Sequence, residues 1–107
     1  MNKTIAEAMA FIPPLRGALP RLAPVDLALF PSFFGVAPVA GALAGAPVSV
    51  GAQDLYWEAN GAFTGEVSVA MVRDAGAGLV LVGHSERRHV LGEGHEVVAD
   101  IIRLTNG

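Results

Sequence analysis

Residues 79–84 read Leu79-Val80-Leu81-Val82-Gly83-His84, and this stretch decides the fold. An apolar run this short, with no polar alternation and a glycine at its end, indicates a strand covered on both faces. Two upstream runs have the same character. Val48-Ser49-Val50-Gly51-Ala52 is one, and Val25-Asp26-Leu27-Ala28-Leu29-Phe30, ended by Pro31, is the other. Segments of helical character separate the three. Residues 36–44 form an Ala-rich helix closed by Gly45. Residues 65–75 form a helix with Glu66 in its first turn and Gly76 at its carboxyl cap.

Working outward, Thr4 and Glu7 have the spacing of a capping box, and Ile5, Ala8, Met9 and Ile12 then share one helical face. Pro13-Pro14 should end or kink this helix, with residues 15–19 adding another turn, and Pro20 and Pro24 frame a loop. At the far end, residues 84–94 read as a polar loop. Residues 96–104 form a last helix with Val97, Ile101 and Leu104 on one face. The predicted order is helix, strand, helix, strand, helix, strand, helix. Fully apolar strands separated by helices make this an α/β chain with parallel strands and helices packed on them, and residues 1–107 form one domain.

The chain is 52% hydrophobic and 16% charged, against about 25% charged residues in ordinary soluble proteins. A small domain has much surface for its volume and should be more polar. The excess apolar content therefore predicts surfaces that something else covers. The net charge of −3 and the lack of any basic run argue against nucleic acid or an anionic membrane as partner. With no cysteine there is no disulfide, thiolate metal site or cysteine nucleophile. No apolar run is long enough to span a bilayer, and the opening residues lack a signal pattern, so the expected compartment is the cytoplasm.

In parallel α/β folds the working residues sit where strands run into loops. Two such loops carry chemistry here: residues 51–66 and residues 83–88. His84 directly follows a buried strand. A neutral imidazole in that position can donate a hydrogen bond to a carbonyl oxygen and stabilise enolate-like charge. Glu86 can accept from a cation or hydroxyl, and Arg87 and Arg88 can pair with carboxylates such as Glu66 or Glu93. The plainer reading is a solvated turn. His89 and His95 lack metal-ligand spacing with His84 and read as exposed loop residues; no metal site is expected.

Two long strings sharpen the choice. Val82-Gly83-His84-Ser85-Glu86-Arg87-Arg88, followed by Leu91-Gly92-Glu93, resembles the surroundings of the catalytic histidine in triosephosphate isomerases. Gly51-Ala52-Gln53, with Gly61-Ala62-Phe63-Thr64-Gly65-Glu66-Val67-Ser68, resembles that family's third loop and the helix after it. The order and separation of the strings also agree. Met1-Asn2-Lys3-Thr4 resembles the residues after the family's first strand, and Phe30-Pro31-Ser32-Phe33 more loosely the end of its second. The resemblance reaches about Asp100, and residues 101–107 depart from it.

The resemblance implies a partial TIM (β/α)8 barrel, from the first helix of the barrel to its fourth. It implies interconversion of dihydroxyacetone phosphate and glyceraldehyde 3-phosphate without a cofactor. His84 would polarise the substrate carbonyl; the family's histidine is known to act as a neutral electrophile beside a glutamate base. Glu86 would match the glutamate that contacts the catalytic lysine, and Thr64 the tip of a loop that braces the partner's active site in a homodimer. Gln53, Arg87 and Glu93 would match residues at or behind that interface.

The family's Asn-x-Lys at the end of the first strand has no match. Met1 aligns with the position after that lysine, and Lys3 is not assigned the role. The glutamate base, the closing lid and the phosphate-binding glycine loop belong to the family's second half. A TIM barrel takes about 250 residues, so these 107 are expected to be inactive alone and marginally stable or self-associated. Two other readings stand beside this one: a non-catalytic half-barrel module that docks a partner chain through residues 53–66, and a phosphosugar enzyme of another barrel family.

Overall fold

The computed structural model describes residues 1–106. Its centre is a three-stranded parallel sheet, β1 (Leu27–Leu29), β2 (Val48–Ala52) and β3 (Leu79–Val80), in the order β1-β2-β3. Leu27 pairs with Val48 and Gly51 with Leu79. The strands lie where the apolar runs put them, although β1 and β3 keep the ladder for only part of their runs.

Helix α1 (Ile5–Ala18) opens with the expected capping box. Thr4 Oγ1 accepts from the Glu7 amide at 3.2 Å, and Glu7 Oε2 accepts from the Thr4 amide at 3.2 Å. Pro13 and Pro14 do not end the helix. The hydrogen bonds they forfeit are offset on either side: Ile12 is buried, and the Arg16 guanidinium donates to the Ala42 carbonyl at 2.6 and 3.2 Å. That carbonyl belongs to the last residue of α2 (Phe33–Ala42), so a cation meets the negative end of a helix. The expected loop after α1 begins as a 3-10 turn (Leu19–Leu22) with Pro20 near its start.

Helix α2 begins three residues before the expected position, behind Ser32. Helix α3 (Val69–Asp74) begins four residues later than expected, because the Ser68 hydroxyl accepts from the Met71 amide and so sets the start. Gly65 has φ +93°, outside the helical range, and Glu66 precedes the helix. A further helix, α4 (Ser85–His89), occupies part of the stretch expected to be loop. Its sequence favours it, with Glu86 in the first turn and Arg87, Arg88 and His89 in the last. Helix α5 (His95–Asn106) closes the described chain and buries Ile101 completely. His95 therefore starts a helix, with its Nδ1 3.0 Å from Arg88 Nη1.

The core joins Ile12 of α1, Val36 and Val39 of α2, Val50 and Ala52 of β2, Val72 of α3 and Ile101 of α5. Helices α1, α2, α3 and α5 thus share one core with the middle strand, and the carboxyl ends of the strands are left to meet at one rim.

Candidate active site

Phe30 follows β1, Gln53 and Asp54 follow β2, and Leu81 and His84 follow β3; together they border an open groove of about 540 Å³. Parallel strands in register carry their loops to the same rim, so this placement follows from the topology. Gln53 ties two strand ends together, its Nε2 donating to the Phe30 carbonyl at 2.8 Å.

His84 is the N-cap of α4, and its Nδ1 accepts from the Glu86 amide at 3.1 Å. A nitrogen that accepts from an N–H carries no proton, so the neutral ring holds its proton on Nε2. About half of the side chain is exposed. The Glu86 carboxylate stands 3.9 Å from Nδ1 and is largely solvated. Gly83, immediately before, has φ +68°, a backbone geometry that favours glycine, and Arg88 donates back to its carbonyl at 3.0 Å.

Behind His84 lies a buried charge cluster. Arg87 Nε and Nη2 both donate to Glu93 Oε1, at 3.0 and 2.5 Å, and Nη2 is 3.1 Å from Asp54 Oδ2. Asp54 and Glu93 side chains are 12% and 10% exposed, so both carboxylates are largely shielded from water. Asp54 Oδ1 and Glu93 Oε2 are buried with no hydrogen-bond partner among the described residues. Burial is the main cause that raises the Asp54 carboxyl from 3.8 to about 6; Arg87 opposes it and Glu93 adds to it. The Arg87 guanidinium is pushed further up, chiefly by its bond to Glu93.

Of the residues singled out from the sequence, His84, Glu86, Gln53 and Arg87 line the groove, and Glu93 is joined to it through Arg87. Thr64 does not line it; it lies exposed in the long loop after β2. That loop is stiffened by Tyr56, stacked on Trp57 at 4.0 Å and tilted against Phe63 at 4.6 Å between ring centres. Among the described residues Arg88 pairs with Gly83 and His95 and not with a carboxylate. Asp54 was not singled out. A carboxylate two residues past a buried strand, next to Gln53, is the signal that could have found it. Among the described residues no cluster of three His, Asp or Glu side chains could hold a metal, and no helix is long and apolar enough to cross a membrane.

The family model for triosephosphate isomerase matches residues 1–106. The match passes the expected limit at Asp100, so residues 101–106 belong to the family pattern too; Gly107 lies outside the described residues. The triosephosphate isomerase of Endomicrobium trichonymphae is 46% identical over 98 residues, covering 92% of this chain and 39% of that protein. That of Symbiobacterium thermophilum is 46% identical over 106 residues, covering 96% of this chain and 40% of that protein. The crystal structure of triosephosphate isomerase from Bartonella henselae superposes with a TM-score of 0.84 at 26% identity, covering 98% of this chain and 43% of that one. The three-stranded sheet is thus part of a TIM barrel, and the chain spans about two fifths of the length of the curated relatives it matches. A family match over nearly every residue, with the same backbone, makes this chain a member of the triosephosphate isomerase family.

Proposed function

We propose that the groove is part of the active site of an enzyme that interconverts dihydroxyacetone phosphate and D-glyceraldehyde 3-phosphate, with His84 as the electrophile. The observation that carries this reading is the Glu86 amide on His84 Nδ1, which leaves the ring proton on Nε2. A donor held there can bond the substrate carbonyl oxygen and strengthen that bond as the oxygen gains charge in the enediol. Family membership supports the substrate class.

Under the same proposal Glu86 steadies the catalytic lysine, and Thr64 braces the active site of the other subunit in a homodimer. Gln53, Arg87 and Glu93 hold the loops behind that interface. The setting is glycolysis and gluconeogenesis in the cytoplasm, and no cofactor takes part. The base that removes the α-proton belongs to the family's second half, so these 107 residues alone turn over no substrate. Loss of such a base typically costs a factor of about 10²–10⁴.

The test is an isomerase assay with glyceraldehyde 3-phosphate, on the chain alone and mixed with a separately expressed second half-barrel. The expected result is no turnover alone and rescue on mixing, with the rescue lost in His84→Ala. Rescue that survives His84→Ala would remove His84 from the mechanism. Binding of the second half without turnover would favour the docking-module reading.

A further inference from the structure

The groove has a second layer that the electrophile reading does not use. Helix α4 carries His84 at its amino end, and that helix is held to the rest of the rim through Arg87. Two carboxylates face this one cation. Glu93 takes both its Nε and Nη2 through a single oxygen, at 3.0 and 2.5 Å, while Asp54 has one contact at 3.1 Å. The distances make Glu93 the ion-pair partner and Asp54 the surplus carboxylate. An ionised Asp54 would leave one buried negative charge unmatched. Desolvation makes such a charge costly unless a proton neutralises it.

We propose that Asp54 is a positioning residue for His84: a proton on its carboxyl balances the buried Asp54–Arg87–Glu93 cluster and keeps α4 seated against the loop after β2. The charged groups facing Asp54 are Arg87 of α4, Glu93 beyond α4 and, at longer range, Glu66 of the loop before α3. Glu93 and Glu66 favour the protonated form and Arg87 the ionised one, with burial the largest influence, towards protonation. As pH rises past about 6 the proton leaves, the cluster becomes net negative, and the seat of α4 loosens. The Arg88 amide, which bonds the His84 carbonyl at 3.0 Å, is where that loosening should first be read.

The proposal rests on the proposed role of His84 only in naming what is positioned, and its test needs no turnover. In the full chain with 13C-labelled carboxyls, the Asp54 signal should titrate near neutrality and move towards the ordinary carboxylate range in Glu93→Gln. Amide exchange of Arg88, referenced to Val72 in α3, should accelerate severalfold in the wild type between pH 5 and pH 7.5, after correction for intrinsic rates. Asp54→Asn, which carries no charge at either pH, should abolish that acceleration. Titration of Asp54 in the ordinary range, or acceleration at Arg88 that persists in Asp54→Asn, would overturn the proposal. Failure of the isomerase assay with these results intact would leave the clamp standing and remove only the catalytic reading.

Discussion

At Gly51, in the middle strand, an added Cβ would lie 2.4 Å from Phe30 Cε1 and 2.9 Å from the Leu79 carbonyl oxygen. The ring could turn away, but the carbonyl belongs to the paired strand and cannot. Gly51→Ala should therefore destabilise the sheet by about 1–3 kcal/mol, the usual cost of overpacking, measured by urea unfolding followed through Trp57. Asp54→Asn should act in the opposite sense. Its native carboxyl binds protons more tightly than the unfolded one, so it costs stability as pH rises from about 4 through 6. The cost at neutral pH is at most about 3 kcal/mol. Asp54→Asn should raise the urea midpoint at pH 7.5, with the gap closing towards pH 4. His84, Glu86, Arg87 and Glu93 were legible as a string after an apolar run. The Arg87–Glu93 bond was legible as one of several possible pairings of Arg87 and Arg88 with nearby carboxylates. Asp54 was not legible, because its importance comes from burial and from a contact 33 positions away in sequence, which no local pattern reports.

Helices show the same division at their ends. Gly76, with φ +103°, was readable as the stop of α3. The Gly76 amide bonds the Arg73 carbonyl and the Ala77 amide the Val72 carbonyl, the paired bonds of a Schellman end. The start of α3 was read too early, since Glu66 near a glycine looked like a first turn while the true cap is Ser68. Ser68→Ala should destabilise the chain by about 1 kcal/mol. Gly76→Ala should cost about 1–2 kcal/mol from its left-handed backbone, plus a clash with Ala40 at 2.8 Å. Both are measurable by urea unfolding. At Pro13-Pro14 the expectation was an end or a kink with another turn beyond, and the helix runs on to Ala18. Propensity alone breaks a helix there, but buried Ile12 and the Arg16 bond to α2 are tertiary effects that override it.

The whole chain exposes 7076 Å², about a quarter more than the roughly 5,600 Å² expected for a compact protein of its mass. Its radius of gyration is 14.7 Å, against about 13 Å for a compact domain of this length. Phe34 is 84% exposed and Val90 77%. The apolar composition had announced such uncovered surface, though not where it lies. Sheet edges and apolar faces of this kind favour pairing with other chains. The isolated chain should therefore sediment as concentration-dependent oligomers. A cooperatively unfolding monomer with dispersed amide signals would contradict this.

Gln53 and Asp54 are neighbours, yet one reaches the end of β1 and the other reaches α4 beyond β3. The chain bends at Gln53, just past the end of β2, so the two adjacent side chains serve opposite flanks of the middle strand. Inserting one residue just past Ala52 would bring the Gln53 amide to Arg87 in place of the acid, and deleting Gln53 would bring the Asp54 acid to the Phe30 carbonyl in place of the amide. Loop length at this point is consequently fixed, and a single-residue change here should be far less tolerated than one in the exposed tip around Asn60.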